Sequence, residues 1–120
     1  MLPIRGLYEV AIPVRQLRKA EEFYRGVLGL EFGLRDDHRH WLFLRAGGAG
    51  MIVLQERDGE FPSYHFAFTV GEFDVERAAT ILREHGVATS GPIVHDWIPG
   101  TSLYFEDPDG HELELFAPST

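Results

Sequence analysis

The chain repeats itself, and the repeat limits what it can fold into more than any other feature. Laid over each other, residues 8–14 (YEVAIPV) and 64–70 (YHFAFTV) show one alternation of residue types, with Glu9 and His65 at matching places 56 residues apart. Period two puts Val10, Ile12 and Val14 on one strand face, and Phe66, Phe68 and Val70 on another, and both faces demand an apolar cover. A helical stripe follows each: Leu17, Ala20, Phe23, Tyr24, Val27 and Leu28 in the first half, Val75, Ala78, Ala79 and Leu82 in the second. Asp74 stands where the second helix wants its N-cap, and Gly29 and Gly86, 57 residues apart, stand where each helix should stop in the left-handed conformation.

Three strand-like runs come after each helix: residues 30–34, 41–44 and 51–55, then 87–94, 102–105 and 112–116. Each half therefore reads strand, helix, three strands, which predicts an α+β fold of two tandem βαβββ modules in one domain spanning 1–120. Module one covers about 6–56 and module two about 64–117, with the polar, Gly- and Pro-containing residues 57–63 as linker. Asp107-Pro108-Asp109-Gly110 predicts a tight hairpin before the last strand, whereas the matching residues 46–50 (AGGAG) predict a looser turn.

The strand faces turned away from the helical stripes differ in kind. Glu9 is followed there by Ala11 and Pro13, and His65 by Ala67 and Thr69, so each presents one ligand-type residue and then small ones, the pattern of a site rather than a core. With no cysteine, disulfides and thiolate chemistry are excluded, and any metal must be held by His, Asp or Glu. Nineteen acidic against eleven basic residues give a net charge of −8, which argues against nucleic acid and anionic membranes as partners. Residues 1–6 lead into no apolar run of signal-peptide length and no stretch is long enough to span a bilayer, so a soluble cytoplasmic protein is expected.

The strings VAIPV, FYRGVLGLEF, HFAFTV, EHGV, Gly91-Pro92 and SLYFEDPDGHELEL run in this order from about Gly6 to Phe116. Together they resemble the vicinal oxygen chelate superfamily, which includes glyoxalase I, extradiol dioxygenases, fosfomycin-resistance proteins, methylmalonyl-CoA epimerase and bleomycin-binding proteins. The resemblance implies a curved mixed sheet with the helices on its convex face and a small-molecule site on its concave face. It also implies a homodimer, with modules paired within a chain or swapped between chains.

Carried over residue by residue, the family's metal ligands fall on Glu9, where the family commonly has His, on His65, and on Glu114 of the last strand. Aligning Gly50 with Gly110 places a fourth position on Leu54, which cannot bind metal, while a one-residue slip gives Gln55 at the cost of flipping the strand's faces. Three ligands with open positions suit a catalytic divalent ion, whether Mn, Zn, Ni, Mg or Fe. One imidazole with two carboxylates tilts the choice away from an O₂-activating iron centre. The alternative is that Glu9 is a solvated or ion-paired acid and His65 is merely hydrogen-bonded. Glu9, Glu114 and Tyr104 are the candidate catalytic groups, the carboxylates as bases and Tyr104 as an acid or hydrogen-bond donor.

Ser102 shares the face of Tyr104 by alternation, and Trp41 and Trp97 are candidate walls for a substrate, Trp97 in a loop suited to act as a lid. Thr69 and Thr101 are weaker candidates. His38 and His40, set among Asp36, Asp37 and Arg39, read as a solvated turn, and His85, His95 and His111 are read in the same way. Two functions stay open: a metal-dependent enzyme on a small oxygenated substrate, of lyase, isomerase or transferase type, and a metal-free small-molecule binder like the bleomycin-binding relatives. A module that only dimerises or regulates a partner is a third, for which no exposed signature is seen. A phosphonate substrate such as fosfomycin is disfavoured, because residues 95–101 (HDWIPGT) and the tail after Glu114 carry no Lys or Arg.

Overall fold

The structure is a computed structural model that describes residues 1–119. The chain divides into two compact units, Met1–Phe61 and the residues from Pro62 onward. The N-terminal unit contains β1 (Glu9–Val14), α1 (Leu17–Glu21), β2 (Glu31–Asp36), β3 (Trp41–Arg45) and β4 (Met51–Glu56). The C-terminal unit contains β5 (His65–Thr69), α2 (Val75–Glu84), β6 (Ser90–His95), β7 (Gly100–Glu106) and β8 (Glu112–Pro118).

Each unit holds one four-stranded mixed sheet, with orders β1-β4-β3-β2 and β5-β8-β7-β6. In both, the first strand runs parallel to the last and the other pairs are antiparallel. The helix is the crossover that a parallel pair needs, and it packs on the two central strands, α1 on β3 and β4, α2 on β7 and β8. Alternation then decides the cores. Ile12, Leu42, Leu44, Ile52 and Leu54 are buried with Ala20, Phe23 and Tyr24 in one unit, and Leu103, Phe105, Leu113 and Leu115 with Val75, Ala79 and Leu82 in the other.

The second strand of each sheet carries a bulge at a glycine, Gly33 in β2 and Gly91 in β6. A Cβ on Gly33 would lie 2.8 Å from the Phe43 carbonyl oxygen, and one on Gly91 2.8 Å from that of Ser102. Any other residue would push the neighbouring strand away.

Four local expectations are revised. The first helix does not stay α-helical to Leu28: after Glu21 it widens into a π-helical stretch, Glu22–Val27, with the Leu28 N–H donating to the Phe23 carbonyl at 3.0 Å. The wider turn lets two consecutive aromatics, Phe23 and Tyr24, both point inward, where they meet edge to face at 5.3 Å. Asp74 occupies the N-cap place of α2, but its side chain makes no capping bond, and a backbone turn from Gly71 closes the entry instead.

The run expected to start a strand at Val87 is still tied to the helix. With Gly86 at φ +77°, the Val87 N–H donates to the Leu82 carbonyl at 2.9 Å, the bond that ends a helix in a Schellman motif, so β6 begins at Ser90. His111, read from sequence as a solvated turn residue, is fully buried. Its Nδ1 accepts the Tyr64 N–H at 3.0 Å and its ring stacks on Tyr64. The Asp107–Gly110 hairpin before it does form, with Asp107 Oδ1 accepting the N–H groups of Asp109 and His111, each at 2.9 Å. Among the described residues no helix is long and apolar enough to cross a membrane.

Candidate metal and substrate face of the C-terminal unit

The face of the second sheet turned away from α2 gathers polar side chains from all four strands. Register explains which. His65 pairs with Glu112 and Ala67 with Glu114 across the parallel β5–β8 pair, while Tyr104 pairs with Glu114 across β7–β8. His65 is therefore the diagonal neighbour of Glu114, and the small Ala67 leaves the space between them open. His65 Nε2 lies 3.2 Å from Glu114 Oε1, the imidazole half exposed and the carboxylate only 13 % exposed.

The other ring nitrogen anchors the imidazole. His65 Nδ1 lies 3.1 Å from the Glu112 carbonyl oxygen, an atom that only accepts, so Nδ1 carries a hydrogen, and Nε2 faces Glu114 with a lone pair in the neutral ring or with an N–H in the imidazolium. A lone pair 3.2 Å from a carboxylate oxygen is repulsive unless a positive charge lies with them, either a proton shared by the pair or a cation taken by both. An imidazole anchored through Nδ1–H to a carbonyl, with a carboxylate beside its free nitrogen, is the donor arrangement that metal sites use. The Glu112 carboxylate, 58 % exposed, also lies 3.2 Å from His65 Nδ1.

Glu114 is held from the other side. The buried Ser102 hydroxyl donates to Glu114 Oε2 at 2.5 Å, and His95 Nε2 lies 2.7 Å from the same hydroxyl. Tyr104 lies over His65 at 29° between ring planes, with centroids 6.4 Å apart. Trp97, in the β6–β7 turn and 78 % exposed, meets the His95 ring edge-on at 5.6 Å. His65, Glu114, Ser102, Tyr104 and Trp97 are thus brought to one face. Among the described residues no group of three His, Asp or Glu side chains stands gathered as a metal cage; the pair is what this unit assembles.

Of the remaining candidates, Glu9 and Trp41 belong to the N-terminal unit and Thr69 shares the His65 face of β5. Glu9 is exposed at the start of β1, paired in register with Met51. Trp41 is half-buried in β3 with the Arg39 guanidinium 5.7 Å from its ring. Thr69 is exposed at the end of β5, and Thr101 alternates with Leu103 and Phe105 and so faces α2, which removes it from the site. His38 and His40 sit in the turn expected, where Asp36 Oδ1 accepts the N–H groups of His38 and Arg39, and the Arg39 guanidinium holds the Asp36 carboxyl below its ordinary value.

Two readings of the first module are corrected by register. Glu9 and His65 pair with Met51 and Glu112, and Ala11 and Ala67 with Val53 and Glu114, so Val53 is the counterpart of Glu114. The glycine-to-glycine alignment leads to Leu54 because the two equally long turns carry their glycines one place apart, Gly50 standing at the place of His111, and Leu54 lies buried on the opposite face, paired with Ile12 and Leu42. Gln55 does lie on the face of Glu9 without any slip, but it is the counterpart of Phe116. Sequence reasoning also missed His95. Ending β6 at Val94 left it in a loop, whereas a turn at residues 96–99 pairs His95 with Gly100 and puts it beside Ser102.

Comparison with known proteins shows the same fold. The sequence profile of the Glyoxalase/Bleomycin resistance protein/Dioxygenase superfamily matches residues 6–115. The chain is 29% identical to metallothiol transferase FosB of Staphylococcus haemolyticus over 97% of this chain and 86% of that protein. Among solved structures, an integron cassette protein, HFX_CASS4, from the mobile metagenome of the Halifax Harbour sewage outfall superposes with a TM-score of 0.91 at 44% identity, covering 95% of this chain and 99% of that one. TnmS3, an antibiotic binding protein from Streptomyces sp. CB03234, superposes at 0.86 with 28% identity, covering 99% and 100%. The fold is shared at 0.82 with 24% identity, over 97% and 94%, by the fosfomycin resistance protein FosX of Listeria monocytogenes, whose structure contains Mn(II) and 1S,2S-dihydroxypropylphosphonic acid. With the duplicated βαβββ units and a profile that spans nearly the whole chain, the protein belongs to the Glyoxalase/Bleomycin resistance protein/Dioxygenase superfamily.

Proposed function

We propose that the protein is a divalent-metal-dependent enzyme acting on a small oxygenated substrate, with His65 and Glu114 as two ligands of the ion. The observation that carries the reading is the His65–Glu114 pair, in which an imidazole anchored through Nδ1 sets Nε2 3.2 Å from a carboxylate oxygen. A bound divalent ion would polarise a substrate oxygen or acidify a bound water. The chain's own groups supply the rest. The Glu112 carbonyl orients the imidazole, Ser102 holds one oxygen of Glu114, and Tyr104, beside the His65 ring, brings a phenolic O–H to a substrate oxygen.

Within that reading, transferase chemistry is favoured by the likeness to FosB. The substrate is proposed to be neutral or cationic. In residues 62–120 the Lys and Arg residues are Arg77 and Arg83, both within α2, whereas a phosphonate calls for such cations around it. The protein is further proposed to be cytoplasmic and to work as a homodimer, as the family resemblance implies.

A second reading, a metal-free binder of a flat cationic guest, draws on the exposed Trp97, the acidic C-terminal half and the likeness to TnmS3. Metal analysis separates the two. Protein purified without added ions and titrated with Mn(II) and Zn(II) should take up close to one ion per chain, and His65→Ala should lose it. Failure of the wild-type protein to bind either ion at saturation would rule out the enzyme reading and leave the binder. Turnover of fosfomycin by the Mn(II)-loaded protein with a thiol would overturn the charge argument about the substrate.

A further inference from the structure

We infer that His95 is a positioning residue for Glu114, acting through Ser102 to leave only one carboxylate oxygen for the ion. The inference rests on the metal reading above and concerns His95, to which that reading gives no role.

Donor and acceptor chemistry fixes the direction of the contacts. An ionised Glu114 only accepts, so the single Ser102 hydrogen goes to Oε2, and the serine oxygen can meet His95 Nε2 only by accepting a hydrogen from it. The order is therefore His95 Nε2–H to Ser102 Oγ–H to Glu114 Oε2, each bond polarising the next, with the last one charge-assisted and short at 2.5 Å. Ser102 is fully buried, so no water competes for its hydroxyl.

The local fold is built to make this contact. His95 ends β6 opposite Gly100, two residues before Ser102 on β7, and the Trp97 ring closes over its edge. Gly100 has to be glycine, because the Phe116 ring occupies the place of its side chain and the Ala117 carbonyl oxygen lies 2.8 Å from where a Cβ would be. That ring lies on the face that also carries Ser102 and Glu114, and it packs the segment between the two ends of the hydrogen-bonded chain. The carboxylate's two oxygens are thereby given different tasks. Oε2 is committed to Ser102, and Oε1 alone faces His65 Nε2.

Without this clamp the Glu114 side chain can rotate away from the His65 lone pair. Loss of such an outer partner typically lowers metal affinity about 10–100-fold. The test is a Mn(II) titration followed by the electron paramagnetic resonance of the free ion, on protein whose fold is checked by circular dichroism and thermal unfolding. Wild type should bind. Ser102→Ala and His95→Ala should each bind about 10–100-fold more weakly while remaining folded. His95→Gln, whose amide N–H falls near the place of Nε2, should bind close to wild type. His95→Asn, too short to reach Ser102, should behave like His95→Ala and serves if the alanine variant does not fold.

Wild-type affinity in folded His95→Ala or His95→Asn overturns the inference and leaves the metal reading standing. A wild type that binds no Mn(II) ends both. Weakened binding that His95→Gln fails to restore also overturns it, since the effect would then come from packing around Trp97 and not from the hydrogen bond.

Discussion

Strands β1, β3 and β4 share one register with β5, β7 and β8, and there the two units differ on one face. Placed by their strand pairing, Leu42 corresponds to Leu103, Leu44 to Phe105, Ile52 to Leu113, Leu54 to Leu115 and Ile12 to Phe68, and every one of these pairs is apolar. On the other face His65 stands against Glu9, Glu112 against Met51, Glu114 against Val53, Tyr104 against Phe43 and Ser102 against Trp41. Charge follows the same division. Residues 1–61 carry nine basic and nine acidic side chains, whereas residues 62–120 carry two and ten, so the whole net charge of −8 resides in the second half. Because alternate residues of a strand point to opposite faces, one set of positions keeps the apolar contacts with the helix while the other set is free to change.

The sharpest way to break this comparison is to write the second face onto the first. Val53 is fully buried, so Val53→Glu places a carboxylate at Glu114's counterpart with no serine or histidine to receive it. The expected cost is about 3–5 kcal/mol, the range for an uncompensated buried charge. It is measured by urea unfolding at pH 7. A loss under 1 kcal/mol would mean that the N-terminal face tolerates charge as well as the C-terminal one, and that the contrast drawn here is not imposed by packing. Next in size, Leu54→Ala and Leu115→Ala probe the shared face. Both are nearly or fully buried at equivalent places, and each should lose about 3 kcal/mol. Widely unequal losses would show that equal register does not mean equal packing.

The two faces were not equally legible in the sequence. The apolar alternation of residues 8–14 and 64–70, the helical stripes and the glycine stops led to the correct fold, because burial leaves a periodic signature that needs no knowledge of partners. Of the side chains gathered on the candidate face, His65, Glu114, Ser102 and Tyr104 are legible through alternation and motif. His95 is not, because its place depends on where a hairpin turns, and a strand ended one residue early hides the pairing with Gly100. Val53 was missed for a related reason. The turns 46–50 and 107–111 are equally long but carry their glycines one place apart, so matching Gly50 to Gly110 shifts the alignment by one residue, and a one-residue error exchanges the faces of a strand. The buried role of His111 left no local trace either, since its partner Tyr64 lies 47 residues away.

The smallest effect expected comes from the charges of the first half, which are spent on one another. Glu21 of α1 is held by Arg35 of β2 at 2.7 Å and by Arg25 at 2.9 Å, and both guanidinium groups lie within 6 Å of the half-exposed Phe32 ring. The hydrogen bond from Arg35, partly opposed by burial and reinforced by Arg25, holds the Glu21 carboxyl below its ordinary value of 4.5. A carboxyl whose value is lowered by folding adds stability that is fully present above 4.5 and is lost as pH falls through its lowered folded value. Glu21→Gln should therefore cost about 0.5–1 kcal/mol at pH 7, in the range of a partly screened ion pair. As the pH is taken below 4.5, protonation makes the wild-type side chain as neutral as the glutamine, and the two urea midpoints should converge. A difference that stays constant from pH 7 to pH 3 would show that Glu21 acts through packing against Phe32 and not through its charge, and the balanced charge of this half would then contribute nothing to its stability.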